Sequence, residues 1–198
     1  MTLVWTALAC ALVVPIAAAA ASPLLAWRDT IYIAAGFAGV VAMSLMLVQP
    51  LLIGRYLPGL HARRYQQIHR GIGCILVVSL VIHVTGLWIT SPPDVIDALL
   101  FDSPTPFSAW GVIAMWAIFI TGFLAMLRKP LRIRPNTWRI VHTALAAVIV
   151  VGSVVHALQI EGTMETASKA VLCALILIAT LKVVTDLRVW TILNRRAG

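Results

Sequence analysis

The sequence predicts an all-α integral membrane protein, a bundle of six transmembrane helices with both termini in the cytoplasm. Of the 198 residues, 61% are hydrophobic and 11% are charged, and the mean hydropathy is +0.98. The apolar residues form six runs of about 20 residues, the length that an α-helix needs to cross a bilayer. Basic and acidic loops alternate between these runs, which indicates how the bundle is oriented.

The first two apolar runs are about Leu3–Ala21 and Ile31–Ile53. The first ends in an alanine run before Ser22 and Pro23, which resembles the cleavage site of a signal peptide. However, the start of the chain carries no Lys or Arg, and the apolar run is long for a signal peptide. The sequence therefore favours a retained first helix, with residues 1–30 comprising this helix and a loop.

The third and fourth runs are about His69–Thr90 and Ser108–Leu127. A basic segment containing Pro58 and Gly59, which interrupt a helix, precedes the third run. The segment SPPDVIDALLFDSPTPF separates the two runs and contains four prolines, three aspartates and no basic residue. The sequence predicts a proline-rich loop here.

The fifth and sixth runs are about Ile140–Leu158 and Lys169–Val184. The basic segment RKPLRIRPNTWR precedes the fifth run, and the turn QIEGTMETAS separates the two. Residues 191–198 are predicted to be a basic cytoplasmic tail.

The distribution of charge predicts the orientation. The loops after the second and fourth runs, with the C-terminal end, hold thirteen of the fifteen Lys and Arg residues and one of the seven acids. By the positive-inside rule this side is cytoplasmic. The net charge of +8 is spread between apolar runs rather than along one stripe, so no nucleic-acid partner is expected. The expected surroundings are the lipid bilayer of a bacterial inner membrane, crossed several times.

The tryptophans agree with this topology. Six lie near predicted helix ends, as aromatic residues at membrane interfaces do: Trp5, Trp27, Trp88, Trp110, Trp138 and Trp190. Trp116 lies deep in the fourth run, and we interpret it as core packing, with proximity to a cofactor as the alternative.

Two of the predicted helices carry histidines at the same spacing. His69 and His83 bound HRGIGCILVVSLVIH, and His142 and His156 bound HTALAAVIVVGSVVH. Fourteen residues make nearly four helical turns, so both histidines of a helix lie on one face, about 21 Å apart along the axis. The third and fifth helices cross in the same direction, so His69 should face His142 and His83 should face His156. Two histidine pairs at two depths suit axial ligation of two b-type haems.

Other interpretations of the histidines stay open. Ionisable residues inside a bilayer are costly and usually functional, so a histidine-based proton or ion transporter is an alternative, as is a structural subunit of a membrane complex. There is no CxxCH motif for covalent haem attachment, and the three cysteines lie in apolar segments. His61, in a basic loop outside the pattern, is interpreted as solvated.

Residues around the histidines allow two interpretations each. Small residues lie about one turn from a histidine and would let a flat macrocycle approach the backbone, or would serve ordinary helix packing: Gly73, Gly86, Ala146 and Gly152. Arg70 and Arg139 could pair with haem propionates or could be plain positive-inside anchors.

The two histidine segments, HRGIGCILVVSLVIH and WRIVHTALAAVIVVGSVVH, resemble the ferric reductase-like transmembrane domain over about residues 31–190. That family includes the membrane parts of ferric reductases and NADPH oxidases and the haem subunit of periplasmic methionine sulfoxide reductase systems. The resemblance implies that His69 and His142 ligate an inner haem and that His83 and His156 ligate an outer one. It also implies electron transfer across the membrane, as the haem subunit of an oxidoreductase.

The sequence departs from the relatives in two ways. Ferric reductases and NADPH oxidases add a flavin and nicotinamide domain, whereas the sequence ends at Gly198 with no GxGxxG motif. The methionine sulfoxide reductase haem subunits typically carry a further histidine in the preceding helix, and Ile31–Ile53 has none. We therefore expect the electron donor to be a cytosolic flavin reductase or a membrane quinol, with flavin or quinone supplied by that partner. The expected acceptor is a periplasmic protein or small molecule.

Overall fold

The computed structural model describes residues 1–187 of the chain. Within these residues there are seven α-helices and no β-strand. The helices are α1 (Thr2–Ala20), α2 (Thr30–Ile53), α3 (Ala62–Thr90), α4 (Pro92–Leu99), α5 (Pro106–Leu127), α6 (Pro135–Gln159) and α7 (Thr166–Asp186), with a 3₁₀ turn at Pro23–Leu25. All but α4 are long and apolar enough to cross a membrane, so the predicted six-span, all-α fold is confirmed. The predicted basic tail 191–198 and Trp190 lie outside the described residues.

The predicted loop between the third and fourth spans contains the short helix α4, which the sequence reading missed. Pro92 and Pro93 occupy the first turn of α4, where proline is tolerated because the missing N–H would have no intrahelical partner. Asp94 lies in the same turn, where a carboxylate is favoured by the helix dipole. The prolines thus start a helix here rather than prevent one.

Acidic caps set where two of the spans begin. The Asp29 carboxylate accepts a hydrogen bond from the backbone N–H of Ile31 at 2.7 Å, at the start of α2. The Glu165 carboxylate accepts hydrogen bonds from the N–H groups of Ser168 and Ala167, at 2.8 and 2.5 Å, at the start of α7. These bonds hold the pKa of Glu165 below its usual range because they stabilise the ionised form. The caps satisfy N–H groups that would otherwise lack partners.

The helices are arranged as two antiparallel hairpins, α2–α3 and α5–α6, with α3 packed beside α5. Helix α7 packs on both α2 and α6, and α1 lies on α2 and α7. Among residues 1–187, the backbones of α3 and α6 touch at few points or none. The two histidine helices therefore meet through side chains, such as the rings of His69 and His142.

One end of the bundle is basic and the other is acidic. The α2–α3 and α5–α6 connections form what we call the basic end, together with the start of α1 and the end of α7. The Trp5 indole N–H donates to the Pro58 carbonyl oxygen at 3.3 Å, and the Tyr56 hydroxyl donates to the Asp186 carboxylate at 2.5 Å. Burial and this hydrogen bond raise the pKa of Tyr56 to about 12. The opposite, acidic end carries Asp29, Asp94, Asp97, Asp102, Glu161 and Glu165.

Large apolar side chains cover the outside of the bundle, as expected for helices in lipid. Trp116 belongs to this surface, since its side chain is 51% exposed and its ring meets that of Phe119 edge to face at 6.1 Å between centroids. The interpretation of Trp116 as core packing is therefore wrong. In a bilayer such exposure costs little, because lipid chains are as apolar as a protein core.

Candidate functional site

His69 on α3 and His142 on α6 face each other near the basic end of the bundle. Their ring centroids are 6.2 Å apart, and their ring planes are inclined by 78°. Two imidazoles on one metal have centroids roughly 6 Å apart, because each metal–nitrogen bond is about 2 Å long and each ring adds about 1 Å to its centre. The spacing of this pair therefore fits axial ligation of one metal.

Both of these rings carry a buried nitrogen without a partner. The Nδ1 atoms of His69 and His142 are shielded from solvent and make no hydrogen bond. Buried polar atoms without partners are uncommon in native proteins and call for an explanation, such as a bound ligand or a functional role. The Gln49 backbone of α2 approaches the His69 ring but does not reach normal hydrogen-bond geometry.

Two residues that the sequence reading did not assign to the site surround His142. The Trp138 indole stacks on the His142 ring, with centroids 4.9 Å apart and planes inclined by 19°. The Arg128 guanidinium lies 5.3 Å from the centre of the Trp138 ring and is close enough to His142 for its charge to act on that ring. Trp138 precedes His142 by four residues, one turn on the same helix face, so its position was readable from the sequence.

His83 and His156 form the second pair, nearer the acidic end, and are close enough for their charges to interact. The Nδ1 of His83 is 2.8 Å from the carbonyl oxygen of Ala35 on α2, and the Nδ1 of His156 is 2.9 Å from that of Phe107 on α5. A carbonyl oxygen can only accept a hydrogen bond, so each Nδ1 must carry the proton. In the neutral ring, Nε2 then keeps its lone pair, which is the state in which histidine ligates a metal.

An apolar layer separates the two histidine pairs. Leu76 lies seven residues from both histidines of α3, and Ile149 lies seven residues from both histidines of α6. Leu76 is buried and belongs to the central core, and Ile149 packs against that core. Seven residues are about two turns, so both side chains lie on the histidine face, midway between the two levels.

Two of the small residues near the histidines serve helix packing. A Cβ on Gly86 would lie 2.7 Å from the Ala35 side chain of α2, and one on Gly152 would lie 3.0 Å from the Trp110 carbonyl oxygen of α5. These two glycines thus allow close packing within each hairpin, which was the alternative interpretation.

The two arginines proposed as propionate partners have different surroundings. Arg70 is exposed next to His69 at the basic end. The Arg139 Nη2 donates to the Leu187 carbonyl oxygen at 3.4 Å, beyond the last residue of α7. His61, interpreted as solvated, is exposed at the N-terminal cap of α3 and makes no capping bond through its side chain.

The donor set fits haem better than a free metal ion. Within residues 1–187, no group of three or more His, Cys, Asp or Glu side chains is placed to hold a metal ion. Haem needs only two axial protein ligands, because the porphyrin supplies four nitrogens. The paired histidines supply that number at each level.

The chain matches a family model described as ferric reductase like transmembrane component, over residues 35–153. The match covers more than half of the chain and includes His69, His83 and His142. The chain matches no curated protein and no solved structure.

Proposed function

Because the chain belongs to the ferric reductase like transmembrane component family, we propose that it carries electrons across a membrane through two b-type haems. The family supports transmembrane electron transfer in general. The observation that carries the two-haem proposal is the presence of two histidine pairs on α3 and α6, with the His69 and His142 rings at the spacing of axial ligands. Each bound haem supplies an iron centre that gains and loses one electron reversibly.

The chain's part would be to supply two histidines that hold a haem at each level. His69 and His142 are proposed to bind the haem nearer the basic end, and His83 and His156 the haem nearer the acidic end. The carbonyl oxygens of Ala35 and Phe107 fix the proton of the second pair on Nδ1, which leaves on Nε2 the lone pair that would ligate the iron. Such outer hydrogen bonds also make an imidazole a stronger ligand.

The apolar layer formed by Leu76 and Ile149 keeps water out of the path between the two levels. Leu76 is buried in the aliphatic core and Ile149 packs against that core, so the side chains midway between the two levels are apolar. Dry surroundings hold back protons and ions while electrons pass. The layer therefore suits an electron relay.

The hydrogen bonds of the second pair also speak against a proton relay. A relay needs groups that can both accept and release a proton along a chain of hydrogen bonds. His83 and His156 instead direct Nδ1–H at backbone carbonyl oxygens, which accept a hydrogen bond but do not pass a proton on. This favours haem ligation over a histidine-based transporter.

The direction of transfer follows from charge. By the positive-inside rule, we propose that the basic end and both termini face the cytoplasm of a bacterium, with the chain in the inner membrane. The haem nearer that end would receive electrons from a cytosolic flavin reductase or from a membrane quinol. Asp94, Asp97 and Asp102 lie at the other end, where a periplasmic protein or small molecule would accept the electrons. Arg70 is proposed to pair with a haem propionate, and Arg139 to do so only if it releases Leu187.

Haem content tests this function directly. Protein purified from haem-replete cells should contain close to two haems per chain by the pyridine haemochrome assay, with the reduced-minus-oxidised spectrum of low-spin b haem. A colourless protein would contradict the proposal. A value near one would mean that one of the two histidine pairs is assigned wrongly.

A further inference from the structure

We propose that Gly39 on α2 and Gly111 on α5 are positioning residues that fix the imidazole rings of His83 and His156. The inference rests on the proposed function, in which these two rings ligate a haem. Neither glycine stands on a helix that carries a histidine of the pairs. The two glycines act through the rings and would not touch the metal.

The first observation is how closely each ring lies against its glycine. A Cβ on Gly39 would lie 3.0 Å from Nδ1 and 3.2 Å from Cε1 of His83. A Cβ on Gly111 would lie 2.7 Å from Nδ1 and 2.9 Å from Cε1 of His156. Each ring thus occupies the space that any other residue would need for its side chain.

The second observation is the position of the hydrogen-bond acceptor. Ala35 precedes Gly39 by four residues, and Phe107 precedes Gly111 by four. In an α-helix, the Cα–Cβ bond tilts towards the N-terminus, so a side chain covers the turn that precedes its own Cα. A side chain at either glycine would therefore cover the carbonyl oxygen that accepts the histidine proton.

The same device occurs once in each hairpin. Helices α2 and α5 each present a carbonyl oxygen, followed four residues later by a glycine, to the histidine helix that packs on them. Because the contact between a glycine and a histidine ring occurs in two separate helices, it argues against chance packing of a single glycine.

The other histidine pair lacks this device and lacks the hydrogen bond. Fourteen residues after Ala35 and Phe107, at the level of His69 and His142, stand Gln49 and Thr121. The residues four positions further on are Ile53 and Ala125, which carry a Cβ. At this level both Nδ1 atoms are without a partner. The Gln49 backbone approaches His69 without reaching normal hydrogen-bond geometry. Short ring hydrogen bonds thus occur at the level where the two glycines stand.

The device would set the plane of each ring and keep its proton on Nδ1. With the proton held there, Nε2 is free to ligate and the ring cannot rotate away from the metal. Glycine is needed because the ring and the backbone of the neighbouring helix must come within hydrogen-bond distance.

Alanine substitutions test the proposal, with matched glycines as controls. Gly122 stands on α5 like Gly111, and the nearest atom to an added Cβ there is a Val77 methyl at 3.9 Å; an added Cβ on Gly71 of α3 would meet nothing within 4 Å. Gly39→Ala, Gly111→Ala, Gly71→Ala and Gly122→Ala are compared for haem per chain, for the low-spin EPR spectrum of the oxidised protein, and for thermal stability. The EPR g-values report the ring planes, which a purely structural glycine would not change.

We expect Gly111→Ala to lose the haem nearer the acidic end, so that the haem content falls from near two to near one per chain. An added Cβ on Gly39 lies further from its histidine ring than one on Gly111. Gly39→Ala should therefore keep both haems but shift the EPR signal of the haem nearer the acidic end. His83→Ala identifies which signal belongs to that haem. Both control variants should match the wild type in haem content and in EPR spectrum.

The outcomes separate this inference from the proposed function. A wild-type protein without haem would overturn both. If the wild type holds two haems and Gly39→Ala and Gly111→Ala match the controls, the inference alone is wrong. Equal loss of both haems in these variants would show a general packing role and would also overturn it. Should Gly111→Ala fail to fold, the EPR spectrum of the milder Gly39→Ala decides.

Discussion

The four paired histidines differ in whether their Nδ1 atom makes a hydrogen bond. His83 and His156 donate Nδ1–H to backbone carbonyl oxygens, whereas Nδ1 of His69 and of His142 is buried without a partner. A hydrogen bond of this kind contributes about 0.5–1.5 kcal/mol net. The rings of the second pair are thus fixed before any haem binds, and the His142 ring relies on stacking against Trp138.

Removing single histidines should remove single haems. His69→Ala or His142→Ala should abolish the haem nearer the basic end and leave the other in place, because each haem depends on its own two ligands. His83→Ala or His156→Ala should do the reverse. The spectra of the purified variants measure this. His61→Ala is the control and should be spectrally silent. If the loss of one proposed ligand leaves its haem unchanged, that pairing is wrong.

Trp138 should matter for one haem only. Stacked aromatic pairs contribute about 0.5–1.5 kcal/mol beyond burial, so Trp138→Leu should weaken retention of the haem nearer the basic end by roughly 2- to 10-fold. The measurement is haem remaining after titration with a haem-binding apoprotein. Trp88→Leu, at an exposed position of α3, is the matched control. Equal retention in both variants would show that the stacking does not support the site.

At the scale of helices, the two hairpins hold the histidine pairs unequally. Helices α2 and α5 each supply a backbone acceptor within hydrogen-bond distance of a histidine near the acidic end. Near the basic end the Gln49 backbone of α2 only approaches His69, and neither Nδ1 makes a hydrogen bond of normal geometry. Within residues 1–187 the backbones of α3 and α6 make at most occasional contact, whereas each histidine helix packs closely in its own hairpin. Each ring therefore depends mainly on its own hairpin for orientation.

We therefore expect the haem nearer the basic end to be lost first. Ordering a side chain on binding costs about 1 kcal/mol, so two rings that are already fixed predict that the other haem is retained roughly 10- to 30-fold more tightly. Partial removal of haem in detergent, followed by EPR of the remaining protein, measures the order of loss. The His83→Ala and His142→Ala variants, each holding one haem, give the two rates separately. Equal rates, or earlier loss of the haem nearer the acidic end, would contradict the expectation.

At the scale of the whole molecule, charge is divided between the two ends of the bundle. Nine Lys and Arg residues lie in or beside the α2–α3 and α5–α6 connections: Arg55, Arg63, Arg64, Arg70, Arg128, Lys129, Arg132, Arg134 and Arg139. Such a concentration of positive charge attracts an acidic partner and speeds encounter, and added salt screens the attraction.

The donor can be tested in membrane vesicles that expose the basic end. If a separate donor supplies the electrons, as proposed, NADH or NADPH alone should not reduce the haems. Reduction should begin when a cytosolic flavin reductase is added and should slow at high salt. Quinol-loaded vesicles without the reductase test the other proposed donor. Direct reduction of the purified chain by NADH or NADPH would contradict the proposal of a separate donor.

The sequence by itself determined the six spans and the two histidine levels, because hydropathy and the 3.6-residue helical period are local properties of the chain. It also predicted that His69 lies with His142, since helices that cross in the same direction must pair start with start. It misjudged α4, where prolines counted as helix breakers occupy the one turn that tolerates them. Trp138 could have been found from its four-residue spacing to His142.

Only the tertiary structure decided what touches each ring. Nothing in the sequence distinguishes Gly39 and Gly111 from other residues in the two apolar runs. The acceptors at Ala35 and Phe107 are backbone carbonyl oxygens, which every residue has, so the residue type does not reveal them. The same holds for Trp116, which faces outwards, and for Gly86, which packs within its hairpin. These contacts depend on how each helix is rotated and shifted against its neighbour. In a chain that is apolar on nearly every face, the hydrophobic pattern does not encode that rotation; close packing between helices sets it.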